Sequence, residues 1–459
     1  MPKNNVVVFM TDQQRWDTCG FHGNPLGLTP NLDRAAANGT DLHLCFTCQP
    51  VCGPARAVLQ SGVYPTQNGT FTNGRPLPND SVTLATLFAD AGYRTGYIGK
   101  WHLAADKCVM PDGTVTFDGR VSADSRCGYQ YWLASNVLEG TSDSYRTRMY
   151  DNDCKPVDLP GYRSDAVTDA AIRYIDANKE SPFFLFVSYI EPHFQNHLDN
   201  YPAPDGYTTP YISRWTPPDL QALGGTSAQH LPGYYGMVKR LDDGYGRIRD
   251  ALKSLNLSDN TIVLFITDHG CHFKTRNDEY KRSGHESSIR IPCVLTGPGF
   301  DGGGRIRSLV SLIDLPPTLL DAANVPVPEH FQGKSVCPLV HDKKAQWRDD
   351  MFVQISEAST SRAIRTSRFK YIVTALDIDP WAQTGDSAVY TETELYDLQA
   401  DPYELNNLIG YKSHTKVTDV LRKRLLARMA EAGEAVPEII KAPEAASGQK
   451  IIYDYEVNL

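Results

Sequence analysis

Two long apolar runs in this chain end in the same polar sequence. Val6-Val7-Val8-Phe9-Met10 leads into Thr11-Asp12-Gln13-Gln14, and Thr261-Ile262-Val263-Leu264-Phe265-Ile266 leads into Thr267-Asp268-His269-Gly270. Runs of this kind, with no polar alternation, are strands buried on both faces, as in parallel sheets covered by helices. Open α/β sheets keep their chemistry at the carboxyl ends of such strands. Two strands of one sheet that each finish in Thr-Asp would bring Asp12 and Asp268 together from opposite ends of the chain.

The intervening sequence alternates helix and strand, which argues for βαβ units and an α/β fold with a large, mostly parallel sheet between helices. The apolar spacing predicts helices over 81–91, 165–178 and 234–255, and strands at Thr95–Ile98 and Phe183–Tyr189. Residues 103–163 and 194–230 are rich in Gly, Pro, Asp, Ser and Tyr and read as long functional loops. From Met351 the texture changes to short antiparallel strands, Phe352–Ile355, Arg362–Arg365 and Phe369–Val373, followed by a covering helix at Val417–Ala432. The expected organisation is a large N-terminal α/β domain over 1–345 and a smaller α+β subdomain over 346–459. Ile451–Val457 reads as an edge strand or an exchanged tail.

Composition excludes several classes. With 459 residues, 41% of them hydrophobic, the chain can bury a large core, so disorder and a small stapled scaffold are ruled out. Net charge is −9 and no basic run tracks a phosphate backbone, which argues against a nucleic-acid partner. The longest apolar stretches fall far short of the roughly 18 residues of a membrane span. Met1-Pro2-Lys3-Asn4-Asn5 runs straight into a strand without a signal-peptide core, so the expected location is cytoplasmic for a full-length chain, and periplasmic or secreted if a leader has been removed. Cys45 and Cys48 form a C-x-x-C, but no second such pair completes a zinc site, and the ten cysteines show no disulfide framework.

One cysteine stands apart. Cys52-Gly53-Pro54-Ala55-Arg56 opens a helix immediately after Cys52, where helix-end N–H groups favour an anion, with Arg56 one turn on. Here the chain resembles the type I sulfatases of the alkaline-phosphatase-like superfamily, whose signature C-x-P-x-R is followed by a Thr-Gly or Ser-Gly, as in Gln60-Ser61-Gly62. Thr11-Asp12-Gln13, Gly99-Lys100-Trp101-His102, Glu191-Pro192-His193, Thr267-Asp268-His269-Gly270, and Lys281 with His285-Glu286 follow the order of that family's active-site segments. Thr393–Leu398, Asp401-Pro402-Tyr403-Glu404 and Asn406-Asn407-Leu408 look like its C-terminal strand and turn.

The resemblance implies that Cys52 is oxidised to formylglycine by a formylglycine-generating enzyme, and that the aldehyde hydrate is the nucleophile. It implies a divalent cation held by Asp12, Gln13, Asp268, His269 and modified Cys52. Calcium is the first choice, with magnesium or manganese open, because Gln13 and His269 stand where relatives often have a second Asp and an Asn. By the same resemblance Lys100, His193 and Lys281 contact sulfate, one of His193 and Lys281 protonates the leaving alcohol, Arg56 holds the hydrate, and His102 breaks the covalent intermediate. His285 occupies a place where many relatives have Tyr.

The expected function is therefore hydrolysis of a sulfate ester. The nearest alternative is a phosphonate or phosphodiester hydrolase of the same superfamily, then a simple aryl-sulfatase. A non-catalytic sulfoglycan-binding protein would be expected to lose the cysteine or metal ligands, and neither is lost. The loop vocabulary looks most like sulfatases of carbohydrates, with Arg75, Trp101, His197, Arg146 and Trp215 as candidate substrate contacts. Oligomeric state is not legible.

Overall fold

The computed structural model describes residues 3–105, 119–379, 381–382, 384–445 and 452–457, and the backbone alone of 108–109 and 115–116. A ten-stranded sheet runs through it. In chain order its strands are β1 (Asn5–Thr11), β2 (Thr40–Leu42), β3 (Arg94–Lys100), β4 (Tyr131–Ser135), β5 (Thr147–Tyr150), β6 (Pro156–Leu159), β7 (Phe183–Ser188), β8 (Thr261–Thr267), β9 (Val294–Thr296) and β10 (Gly304–Ile306). Their order across the sheet is β10-β2-β9-β8-β1-β7-β3-β4-β5-β6. The middle five, β8-β1-β7-β3-β4, are parallel, while antiparallel pairs join β9 to β8 and β2, and β5 to β4 and β6.

Alternation along β1 sorts the two faces. Val6, Val8 and Met10 point to one side, where helices α2 (Cys52–Ser61), α3 (Leu84–Asp90) and α6 (Leu315–Ala322) pack. Val7 and Phe9 point to the other, against α1 (Pro30–Asn38), α4 (Arg163–Asn178) and α5 (Ser227–Ser254). The sheet is thus covered on both faces, as the continuous apolar runs require. α3 begins where Thr83 caps it, accepting from the Thr86 N–H. α5 starts earlier than its spacing predicts, at Ser227, and passes through Pro232 in its second turn; Tyr234 packs edge-on to Tyr201 there and holds that turn in place.

A five-stranded sheet follows, with β11 (Asp350–Ile355), β12 (Ser361–Thr366), β13 (Phe369–Thr374), β14 (Val389–Asp397) and β15 (Glu438–Ile440) in that order across it. Helix α7 (Thr415–Glu431) covers one face through Val417, Leu421, Leu425 and Met429. The other face meets the larger part of the molecule: Met351, Val353, Ala363 and Ile372 pack with Phe46, Ile289 and Leu309.

Two expectations need correction. The stretch 103–163 is not one loop, because β4, β5 and β6 lie within it and extend the large sheet; their short, mixed polar sequences hide the strand period. Among the described residues the tail is not an edge strand. Ile452 and Val457 bury into the α7 core of their own chain, with a 3-10 turn at Asp454–Glu456; Ile451 lies outside the described residues. By contrast, 194–230 is irregular for most of its length, as expected, with brief 3-10 turns and one short helix at Pro218–Ala222.

Candidate active site

The parallel strands end along one edge of the sheet, and each end contributes. β1 and β8 run in register, Thr11 beside Thr267, so Asp12-Gln13 and Asp268-His269 emerge side by side. β7, next to β1, leads through Glu191 to His193; β3 ends in Lys100 before His102; and β4 leads to Glu139. α2 sets Cys52 opposite this row, at its own N-terminus, where Asn73 Oδ1 accepts from the Gly53 N–H at 2.9 Å.

Cys52 is 1% exposed and lies at the centre of a dense charge cluster. Lys281 Nζ is 2.8 Å from its Sγ, His269 Nε2 3.3 Å, Asp12 Oδ1 3.5 Å and Lys100 Nζ 3.8 Å. Burial alone would push the thiol up, but Lys100, Lys281 and His269 outweigh it and hold Cys52 well below the usual thiol range. The position favours a negative atom. Lys281 Nζ also reaches His193 Nε2 at 3.1 Å, while His193 Nδ1 donates to the Phe194 carbonyl. That bond fixes the ring so that its free nitrogen faces the lysine.

Asp12 Oδ2 takes two cations at 2.9 Å each, Lys100 and Arg56. Burial and Cys52 act to raise the Asp12 pKa, yet Lys100, His193 and Arg56 hold it well below the carboxylate range. Asp268 is the opposite case: burial and repulsion from Asp12 push it up to about 6. Its Oδ1 accepts from the backbone N–H groups of Gln13 (3.0 Å) and His269 (2.9 Å), while Oδ2 is buried without a hydrogen bond. Arg56 sits beneath this group: Nη1 donates to Ser188 and the Lys100 carbonyl, Nη2 donates to Asp12 and lies 3.4 Å from Asp268 Oδ2, and Nε has no hydrogen bond.

The donor set suits a divalent cation. Ligand atoms of Asp12, Cys52, Asp268 and His269 all lie within 4.8 Å of one another, and all four residues are buried. His269 Nδ1 donates to the Gly270 carbonyl at 2.9 Å, which leaves the Nε2 lone pair facing the two carboxylates. Gly270 lets the strand-end turn pack on the segment at 287–288, since a Cβ there would lie 2.1 Å from the Ser287 carbonyl oxygen. Gln13 has its amide nitrogen committed to Tyr201 Oη and Cys271 Sγ, which leaves the carbonyl oxygen free. A cation would give Asp268 Oδ2, which has no hydrogen bond and only Arg56 at 3.4 Å, a closer partner, and would lower the carboxylate repulsion. A second grouping, His22, Asp41 and His43, is poorly arranged for one: its imidazoles stack at 28° and Asp41 is already paired with Arg305 at 2.8 Å.

A cavity of about 90 Å³ opens above Cys52, lined among others by Gln13, His102, His193 and Lys281. Six further lining residues went unassigned from the sequence: Glu139, Phe194, Asn196, Glu279, Tyr280 and Arg282. Glu139 is closest to the chemistry, 3.5 Å from Lys100 Nζ and 3.8 Å from His193 Nδ1. Burial would raise it, but Lys100, His193 and His102 bring it down to about 2. Nothing in its local sequence marks it, because it comes from a single helical turn, Leu138–Thr141, just after β4. Arg75, His197, Arg146 and Trp215 do not line the cavity. Arg75 lies over the Phe71 ring at 4.2 Å, His197 pairs with Asp143 at 2.6 Å, Arg146 is exposed, and Trp215 is half-buried with its carbonyl accepting from Tyr235. Trp101 is corrected from a substrate contact to a core residue: fully buried, it packs edge-on to Tyr97, Tyr129 and Trp132 and has no surface to offer a ligand.

The nine described cysteines are all free thiols, and Cys45 and Cys48 are fully buried with no metal grouping around them among the described residues. No described helix is long and apolar enough to cross a membrane.

Comparison with known proteins agrees with this geometry. The family model Sulfatase matches residues 4–325, and the model for the C-terminal part of N-sulphoglucosamine sulphohydrolase matches 278–431. The chain is 30% identical over 454 residues to an ulvan-active sulfatase of Formosa agariphila, covering 94% of this chain and 82% of that protein. It is 25% identical over 498 residues to an N-acetylglucosamine-6-O-sulfatase of Bacteroides thetaiotaomicron, covering 90% and 84%. The solved structure of BT4656 in complex with its substrate D-glucosamine-2-N,6-O-disulfate superposes with a TM-score of 0.75 at 23% identity, over 94% of this chain and 98% of that one, a likeness of fold. With the family model spanning well over half its length and the strand-end residues gathered around Cys52, this chain belongs to the sulfatase family and is a sulfuric ester hydrolase.

Proposed function

We propose that the protein removes sulfate from an ester on a carbohydrate, using a formylglycine made from Cys52 and one divalent cation, calcium first. The observation that carries the reading is the triplet of Cys52, Lys281 and His193, with Sγ–Nζ and Nζ–Nε2 distances of 2.8 and 3.1 Å on the wall of the small cavity. It sets a nucleophile position, a fixed positive charge and an imidazole in one line of contact. The Cys52 sulfur stands in for the oxygen that the aldehyde hydrate would carry on the same carbon. Carbohydrate is supported by the names of the two relatives, which act on ulvan and on N-acetylglucosamine 6-O-sulfate.

Asp12, Gln13, Asp268 and His269 would hold the cation, which supplies Lewis-acid stabilisation of anionic oxygens when bound. The protein's own groups do the rest. Lys100 and Lys281 offer fixed charge to the sulfate oxygens in a site where water is largely excluded. His193 Nε2, in contact with Lys281 Nζ, is placed to share the proton that the departing alcohol needs. His102 lines the cavity together with Cys52 and is the group placed to take the proton of the remaining hydroxyl as the aldehyde re-forms. Arg56 keeps Asp12 and Asp268 in place beneath. On this reading residues 1–345 are the catalytic domain and 346–459 a subdomain that supports it, in keeping with the separate sheet of β11–β15.

The test is co-expression with a formylglycine-generating enzyme, intact mass, and a desulfation screen of 2-O-, 4-O- and 6-O-sulfated mono- and disaccharides beside nitrophenyl sulfate and a phosphonate monoester. Conversion lowers the mass by about 18 Da, and Cys52→Ser should cut turnover at least a hundredfold. Near-normal turnover by Cys52→Ser removes the nucleophile assignment. A preference for the phosphonate removes the sulfate-ester reading.

A further inference from the structure

The charged and polar groups around Cys52 form the floor of the cavity and suit the sulfate of a glycan sulfate. On the carbohydrate reading, the sugar lies above them, against the residues that form the mouth.

One side of that mouth is built from two distant segments joined through Arg282. Residues 71–75 supply Asn73, which lines the cavity and hydrogen-bonds to Glu357 through both its backbone N–H and its side-chain amide. The segment between β13 and β14 supplies Trp381. Arg282 lines the cavity, holds Glu279 at 3.0 Å and Glu357 at 2.6 Å, and places its guanidinium carbon 5.3 Å from the centroid of the Trp381 ring. The same loop presses on 71–75 further along, where a Cβ on Gly385 would lie 3.2 Å from the Phe71 ring.

Trp381 is 57% exposed, whereas Trp101 and Trp132 are fully buried. An indole left in water against a doubly paired arginine that itself lines a polar cavity is an arrangement that folding does not require. It suits a pyranose. The C–H face of the sugar can lie on the indole while its hydroxyls stay in water, and Arg282, held by two carboxylates, keeps the ring from turning away.

We propose that Trp381, steadied by Arg282, is a platform on which a pyranose of the substrate stacks once its sulfate has entered the cavity. The proposal rests on the carbohydrate reading above and adds a positioning residue from the C-terminal part of the chain, which the sequence motifs do not mark.

The test uses the full chain carrying Cys52→Ala, which binds without turnover, in calcium. Dissociation constants are measured by calorimetry for inorganic sulfate and for a panel of 2-O-, 4-O- and 6-O-sulfated hexosamine disaccharides. Trp381→Ala should lower the preference for the best disaccharide over inorganic sulfate at least tenfold, and Trp381→Phe should restore it to within about threefold of the parent. An unchanged preference in Trp381→Ala overturns the platform alone. A parent protein that binds inorganic sulfate but no disaccharide better than sulfate overturns the carbohydrate reading and the platform with it. A Phe variant as weak as Ala also overturns the platform, since any flat aromatic face should serve.

Discussion

Asp12 shows how few atoms set the electrostatics of this site. One of its oxygens faces Lys100 and Arg56 at 2.9 Å, and the other faces the Cys52 sulfur. Removing a partner from so buried a group leaves a charge uncompensated, at a cost of about 3–5 kcal/mol; Asp12→Ala is therefore expected to lower the melting temperature as well as abolish activity, measurable by calorimetry. Glu139 acts in the opposite sense. It is the carboxylate that lines the cavity between Lys100 and His193, and it weakens the pull of both on an anion. Glu139→Gln should tighten inhibition by inorganic sulfate roughly three- to tenfold, read as a lower Ki in a nitrophenyl sulfate assay; a weaker or unchanged Ki contradicts that role. These two residues also mark the limits of reading the sequence. Asp12 was legible because a strand-end Asp after five apolar residues has few places to go. Glu139 was not, because the single helical turn that carries it, Leu138–Thr141, is too short to show a period from which a side chain's direction follows. Trp101 failed for a related reason: strand alternation put it on the far side from Lys100, but could not say that this side was packed with Tyr97, Tyr129 and Trp132.

Among the elements, the five parallel strand ends and α2 do the gathering, and the segment 281–286 closes the site from above. That segment is held by the smaller sheet. Glu286 is buried against Lys370 (2.8 Å) on β13 and Arg365 (3.4 Å) on β12, and its backbone N–H donates to Glu404 at 2.7 Å. His285 pairs with Glu394 on β14 at 2.9 Å. Burial raises both carboxylates, but for Glu286 the cations Lys370 and Arg365, and for Glu394 the imidazole of His285, bring each down to about 2. A carboxylate with a depressed pKa in the folded state adds stability that is present above its unfolded value and is lost as pH falls towards the folded one. Urea midpoints should therefore drop between about pH 4.5 and 2, and Glu286→Gln should flatten part of that slope; the same slope in the variant would show that Glu286 does not contribute. The family-like run at 393–408 thus has a physical task, since Glu394 and Glu404 both grip the segment that carries Lys281. The run was visible in the sequence, but the grip was not, because it is a contact between remote parts of the chain.

At the scale of the molecule, the two sheets cannot be separated without exposing Phe46, Ile289 and Leu309, which pack on β11, β12 and β13. A chain ending at residue 345 is expected to be insoluble or inactive when expressed alone, and co-expression with 346–459 should recover soluble activity; a stable, active short fragment would refute this dependence. The overall plan, helices on both sides of a mostly parallel sheet, followed from apolar runs and their spacing. Its antiparallel flank of β5 and β6 did not, since short edge strands with polar faces look like loops. The depth of Cys52 has one further consequence, in time rather than space. All ten residues of α2 are buried, and Cys52 sits at the end of a cavity too narrow for another protein's active site. An enzyme that converts Cys52 has to grip the chain on either side of it, so it must act before α2 docks on the sheet. On the formylglycine reading proposed above, modification would come first and folding second, and a molecule that folded too early would remain a thiol.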